Sequence, residues 1–267
     1  MLTLKKRMIA ATTIYLILLS LLFIFQRKLQ YLPSGKISNI SNYSLDGFTQ
    51  EILTTKDSID ILSWYKKPRS SDNKIILYFH GNAGNIGDRS SKLATFARDG
   101  FGIMAISYRG YFGSEGSPTQ KGLMQDAQAS LEFLFNKGYK EEDIILFGES
   151  LGTGVAMQLA TKYNFAALIL ESPYSSIVSV AKKSYWFVPV NLLIKDKFES
   201  LKVAPKITSP ILIIHGTNDK VVAYDEGEKL YRSINSKKKL ITVDGAGHLD
   251  FSEAFLLKEM QKFLRDK

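Results

Sequence analysis

Residues 145–154 read ILFGESLGTG, and the fold turns on how this stretch is understood. An apolar run reaches Gly148 and stops at Ser150, with Gly152 beyond it. Gly148-Glu-Ser-Leu-Gly152 fits G-x-S-x-G, and the flanks supply its context: a strand over 144–147 and a helix over 152–161. On so tight a strand-to-helix turn, side chains two residues to either side of the serine would collide. The turn lifts the serine hydroxyl into the crevice beyond the strand ends. It also leaves the backbone N–H of Leu151 at a helix N-terminus, where dipole and hydrogen bond favour an oxyanion.

Working outward, short apolar runs alternate with helix-length segments. Strands are expected at 50–54, 59–65, 74–80, 102–108, 144–147, 167–171, 211–215 and 239–243. Helices are expected at 89–98, 120–136, 152–161, 224–233 and 253–265. The runs IILYF, ALIL and ILII are apolar throughout, as in strands covered on both faces. Alternation of this kind predicts an α/β fold with a mostly parallel eight-stranded sheet, right-handed crossovers and helices on both faces. The first two strands have no helix between them and are expected to form an antiparallel edge hairpin. The stretch 173–209 is too long for a simple connection. Its aromatic and aliphatic residues predict a short helical cap inserted into the same domain.

A serine needs an imidazole to take its proton, and the chain has three histidines. His80 precedes Gly81 in YFHGNAGNIGD, where a loop after a strand can offer a second oxyanion donor. The Asn82 N–H is the candidate donor, with Gly81 permitting close approach and His80 bracing the loop. His215 ends an apolar strand, which suits a buried structural role. His248 lies in DGAGHLDF, a glycine-rich loop between the last strand and the last helix, and is the candidate base. For the acid, Asp219 in HGTNDKVV completes the order Ser…Asp…His expected of this elbow. Glu171, at the end of the preceding strand, is the rival. Asp244 and Asp250 are near His248 only in sequence. The glycines at 81, 84 and 87 form neither G-x-G-x-x-G nor a lysine-bearing phosphate loop.

Composition narrows the remaining choices. Hydrophobic residues at 45% and charges at 23% belong to a globular chain, and the absence of cysteine excludes disulfides and thiol catalysis. A net charge of +9 raises the question of nucleic acid. Much of it sits at the N-terminus, however, in Lys5, Lys6, Arg7, Arg27, Lys28 and Lys36, with no acidic residue among the first 36. No nucleic-acid motif accompanies it, so nucleic acid is not an expected partner. Met8 to Phe25 is free of charge, and as a helix it would span about 27 Å, close to the thickness of a bilayer core. Basic residues flank it and Tyr31 would sit near the interface. No small-residue cleavage site follows, so a single-pass signal anchor over about 8–25 is expected rather than a removable signal peptide. The amino-terminal charge tips the orientation to N-terminus inside, with the domain outside the cytoplasm. Residues 1–28 would form the anchor, 29–47 a polar linker, and 48–267 the catalytic domain.

Taken together, FQRKLQYLP, HGNAGN, YRGYFGSEGSP, GESLGTG, ESPYSSI, DKFESL, HGTNDKVV and GAGH resemble the α/β hydrolases over nearly the whole chain. The branch resembled is the single-pass, membrane-anchored one that includes serine aminopeptidase-like proteins, depalmitoylases and lysophospholipid lipases. Phe112 and Ala223 depart from it, standing where glycine and proline are usual. The resemblance implies a serine hydrolase with Ser150, His248 and Asp219 as triad and Asn82 and Leu151 as oxyanion donors. It further implies no metal or organic cofactor and an apolar acyl ester or thioester as substrate; the alternatives are peptidase- or aminopeptidase-like amide hydrolysis and a non-catalytic binding protein that keeps the fold. Lys182, Lys183, Lys195 and Lys197 in the cap could meet anionic headgroups. Oligomeric state is not legible.

Overall fold

The computed structural model describes residues 2–35 and 39–266. Helix α1 (Leu2–Gln30) leads into a two-residue strand, β1 (Leu32–Pro33). The sheet strands are β2 (Thr49–Thr54), β3 (Asp60–Lys66), β4 (Ile75–Phe79), β6 (Gly102–Ile106), β7 (Ile144–Glu149), β8 (Ala167–Glu171), β9 (Ile211–Gly216) and β10 (Lys238–Val243). The short β5 (Ala83–Gly84) pairs with β1 outside that sheet. The eight strands run in the order β10-β9-β8-β7-β4-β6-β3-β2. β2–β3 and β3–β6 are antiparallel, and every other pairing is parallel. This is the α/β-hydrolase architecture, with the expected hairpin at one edge.

Burial on both faces explains the uninterrupted apolar runs. In β4, Ile75, Leu77 and Phe79 join one core layer while Ile76 and Tyr78 join the other. The first layer is closed by α3 (Gln120–Asn136), α4 (Leu151–Leu159) and α8 (Tyr224–Ser233), through Leu123, Val155 and Leu230. The second is closed by α2 (Ser90–Arg98) and α9 (Glu253–Arg265), through Phe96, Leu256 and Met260. Fully burying each such side chain is worth about 1.5–3 kcal/mol.

Between β8 and β9 the chain forms three short helices, α5 (Ile177–Ser184), α6 (Val190–Leu193) and α7 (Ser200–Val203). They make up the cap. The stretch 29–47, read as a linker, makes specific contacts in its described part; residues 36–38, Lys36 included, lie outside the described residues. Tyr31 is 2% exposed and sits in the first core layer rather than at an interface. Leu32 N–H donates to the Asn82 carbonyl at 3.0 Å, and Leu45 is buried in the second layer. The reason is the parallel register Leu32↔Ala83, which fastens the end of α1 beside the loop that follows β4.

Candidate active site

Ser150 stands between β7 and α4 with φ 49° and ψ −112°, a conformation that a non-glycine residue keeps only when its surroundings enforce it. The flanking glycines are part of that enforcement. A Cβ at Gly152 would lie 2.0 Å from the Phe79 carbonyl oxygen, and one at Gly148 would lie 2.6 Å from Thr153 Cα. The elbow therefore packs backbone against backbone. Ser150 N–H donates to the Glu171 carbonyl at 2.9 Å, and the side chain faces a cavity.

His248 Nε2 lies 3.0 Å from Ser150 Oγ, and His248 Nδ1 lies 2.7 Å from Asp219 Oδ2. A carboxylate can only accept, so Nδ1 carries the proton and Nε2 is free to accept from the serine hydroxyl. The loops after β9 and β10 bring the pair together because they are tied to each other. Thr217 N–H donates to the Val243 carbonyl at 3.0 Å, Asn218 N–H to the Ala246 carbonyl at 2.9 Å, and Thr217 Oγ1 to Asp244 at 3.0 Å. Asp244 is thus a loop brace, and Asp250 accepts from Gly247 N–H.

Asp219 is held from several sides. Its Oδ1 accepts the N–H groups of Val221 and Val222, each at 2.8 Å. His215, fully buried, donates from Nε2 to the Val222 carbonyl at 2.9 Å and lies 3.4 Å from Asp219 Oδ2. Burial opposes the charge on Asp219, but the hydrogen bonds from His215, His248 and the backbone overcome it and hold the carboxyl well below its usual range.

Glu171 is engaged elsewhere. Its Oε2 lies 2.7 Å from Lys92 Nζ, which also reaches Glu149 at 3.3 Å. Glu149 in turn takes Arg89 through Oε1 and the Tyr78 hydroxyl through Oε2. Burial disfavours the Glu149 carboxylate, yet Lys92 and Arg89 outweigh that and keep it ionised well below the ordinary range. Glu171 goes the other way, raised by burial and by its negative neighbour. A closed ion network, rather than a partner for His248, occupies the space beneath the elbow.

Asn82 and Leu151 line the same cavity as Ser150. Leu151 is the first residue of α4, so its N–H has no acceptor within the helix. The Asn82 N–H has no acceptor among the described residues, while the Asn82 carbonyl takes both Leu32 N–H and, at 2.7 Å, the Tyr111 hydroxyl. His80 packs between Tyr108 and Tyr111 with ring centroids 4.3 and 4.9 Å away, and its Nδ1 meets the Gly81 carbonyl at 2.7 Å. Burial first, and Arg89 second, push the His80 imidazole down to about 3, so it stays neutral. The cavity measures about 250 Å³ and is walled by apolar side chains of the cap and, unexpectedly, by residues of α1.

The cap lysines have individual fates. Lys183 pairs with Asp225 at 3.3 Å, Lys195 stacks over Phe23 at 4.0 Å, and Lys197 donates to the Asn191 carbonyl. Phe112 is exposed on a turn away from the cavity lining. Ala223 caps α8 with φ −57°, a value proline would accept.

A family model described as serine aminopeptidase, S33, matches residues 70–199 and 193–254. The chain belongs to this family of α/β hydrolases. An uncharacterized protein of Mycobacterium tuberculosis is 31% identical over 249 residues, covering 90% of this chain and 88% of its own. Human alpha/beta hydrolase domain-containing protein 17B is 38% identical over 181 residues, 66% of this chain and 60% of that protein. Among solved structures, a Pyrococcus furiosus esterase superposes with TM-score 0.71 at 19% identity, covering 88% of this chain and 98% of its own. A puromycin-hydrolyzing peptidase of M. tuberculosis gives TM-score 0.67 at 17% identity, over 86% of this chain and 40% of its own. These two likenesses, both under 20% identical, show the fold alone.

Two features of this S33 hydrolase escape a reading of motifs. The Glu149–Lys92–Glu171 network joins residues from three elements, and nothing local announces it. The α1 contribution to the cavity left one trace: Gln26 and Gln30 are polar, four apart, just past the charge-free stretch of the helix.

Proposed function

We propose that this S33-family protein is a membrane-anchored serine hydrolase cleaving carboxylic esters or thioesters of an apolar acyl group. The observation that carries the proposal is the unbroken chain Asp219–His248–Ser150, with contacts of 2.7 and 3.0 Å, opening into an apolar cavity. Ser150 Oγ attacks the acyl carbonyl carbon as its proton passes to His248 Nε2. The tetrahedral oxyanion is held by the N–H groups of Asn82 and Leu151. Collapse expels the alcohol or thiol, which takes the proton from His248, and leaves the acyl group on Ser150. A water then gives its proton to His248, adds to the acyl-enzyme, and releases the carboxylic acid with Ser150 restored. Asp219 keeps the imidazole in the required tautomer and offsets its transient positive charge.

The family description names an aminopeptidase, and that is the second reading. An aminopeptidase must hold a free α-ammonium group, for which a carboxylate is the natural partner. No acidic residue is among those lining the cavity, which favours the uncharged acyl substrate. Anchoring is supported by α1: within its described span Thr3–Gln30 the most apolar 18-residue window has a mean hydropathy of 2.5, and no residue of that window is buried. So much apolar surface is unfavourable in water.

The test is labelling by a fluorophosphonate, together with hydrolysis of acyl esters and of aminoacyl anilides. Wild type should be labelled and should hydrolyse esters, with Ser150→Ala losing both, kcat falling by about 10⁵-fold or more. Equal labelling of the two proteins would end the hydrolase reading in favour of a binding protein. Faster turnover of aminoacyl anilides than of any ester would establish the peptidase instead.

A further inference from the structure

Four residues of the anchor helix, Leu22, Gln26, Leu29 and Gln30, line the cavity that contains Ser150. Their i, i+4, i+7, i+8 spacing puts them on one helical face, covering about 12 Å of the axis. Polar contacts fix that face in place. Gln26 Nε2 donates to the Leu193 carbonyl at 3.1 Å, and Gln26 Oε1 accepts Lys195 N–H at 2.8 Å. Arg27 pairs with the buried carboxylate of Asp196 at 2.8 Å, and Asn82 Nδ2 donates to the Gln30 carbonyl at 3.3 Å. With its amide engaged by the cap backbone, Gln26 presents little polarity to the cavity.

The opposite wall is the cap, through Val180, Val188 and Leu193. The cap follows α1 well beyond the cavity, since Tyr15 OH donates to the Phe187 carbonyl at 2.7 Å. Tyr15 lies about 18 Å along the helix axis from Arg27, inside the charge-free stretch 8–25. The cap exposes large apolar side chains: Trp186, next to Phe187, is 81% exposed, and Leu192 is 82% exposed. A cap tip that exposes Trp186, Phe187 and Leu192, with exposed Lys182 and Lys183 just before it in the chain, and that is held against the middle of a membrane-length helix shares that helix's depth in the bilayer. The cavity therefore lies between two elements that both enter the hydrocarbon.

We propose that α1 is one wall of an acyl channel whose other wall is the cap, and that its occupant is the acyl chain of a bilayer-resident ester or thioester, which reaches Ser150 sideways from the membrane. The inference rests on the serine-hydrolase reading above and adds the source and route of the substrate. It makes Leu22 and Leu29 determinants of chain-length selectivity, although they lie more than 120 residues from the nucleophile in sequence.

The test uses the full chain in phosphatidylcholine vesicles, with 4-methylumbelliferyl butyrate and palmitate as probes. Leu22→Trp and Leu29→Trp should lower the palmitate-to-butyrate ratio of kcat/KM by about tenfold or more, the scale on which apolar pockets discriminate. Ile24→Trp, on the exposed face of the same helix, should keep the ratio within about twofold of wild type. Palmitate ester embedded in the enzyme's own vesicles should be hydrolysed at least about tenfold faster than the same ester in separate vesicles. As a measurement free of substitutions, a hexadecyl fluorophosphonate carrying a terminal diazirine should attach at Ser150 and photocrosslink within 19–30 or 180–194. Ratios unchanged by both tryptophans, equal rates from the two vesicle arrangements, or crosslinks elsewhere would each overturn the channel. Failure of the probe to label Ser150 would instead remove the hydrolase reading, and the channel with it.

Discussion

The two sides of the cavity around Ser150 are built by opposite means. On the sheet side the carboxylates in and beneath the site are each fixed by several polar contacts: Asp219 by two backbone N–H groups and two histidines, Glu149 by Arg89, Lys92 and Tyr78. On the side of α1 and the cap the walls are largely aliphatic, the cap helices short, and large apolar side chains such as Trp186 and Leu192 exposed on the outer surface. The difference fits the work that the proposed function assigns to each side. Proton transfer between fixed atoms tolerates little displacement, and directional hydrogen bonds supply that restraint. An acyl chain needs only space and the exclusion of water, which non-directional contacts provide.

Exchanging the polar partners is the strongest way to break this comparison. Asp219→Asn should lower kcat by about 10⁴-fold, because the amide no longer holds the imidazole tautomer. Glu171→Gln should cost less than about tenfold, since Glu171 faces Lys92 rather than His248. Steady-state kinetics on a short ester decide it: a larger loss in Glu171→Gln would reassign the acid.

A second intervention acts on stability instead. Lys92→Met leaves Glu149 and Glu171, paired in register on β7 and β8, buried with their common cation gone. Unfolding free energy should drop by about 3–5 kcal/mol, read from the denaturant midpoint of the full chain in detergent. The acyl-chain profile should stay as in wild type, because Lys92 belongs to the sheet side alone. A midpoint within experimental scatter of wild type would show that the network is dispensable.

The smallest effect sharpens the picture at His80. Its folded-state value is depressed to about 3 by burial, against about 6.5 in an unfolded chain. Below about pH 6.5 the unfolded state therefore binds one more proton at this position. The stability it contributes above that pH is lost as pH falls toward 3, at about 1.4 kcal/mol per pH unit. His80→Gln should flatten the pH dependence of the denaturation midpoint between about pH 4 and 6 by that slope. Parallel curves for the two proteins would place water beside the ring.

Some of this was legible in local sequence and some was not. The strands at 167–171 and the helices at 120–136, 224–233 and 253–265 coincide with the observed elements, because burial on one or both faces writes a period into the residues themselves. The elbow was legible for a steric reason that two glycines carry. Asp219 and Glu171 were not separable on residue type: both are acids at or just past the ends of neighbouring strands, and Lys92, from helix α2 packed on the second core layer, makes the difference. The stretch 29–47 looked like a tether because it is polar and turn-rich, while its docking depends on backbone pairing with β5, which leaves no mark on composition.

By itself the sequence determined the layered α/β fold, the position of the serine turn and the apolar character of the first helix, since each follows from interactions among residues close along the chain. Tertiary structure brought the acid that chain order favoured, Asp219, against His248, and it alone decided how the buried carboxylates share Lys92 and that α1 turns one face toward Ser150. Those outcomes depend on distances between segments from 29 to 128 residues apart, which are set by sheet order and loop closure.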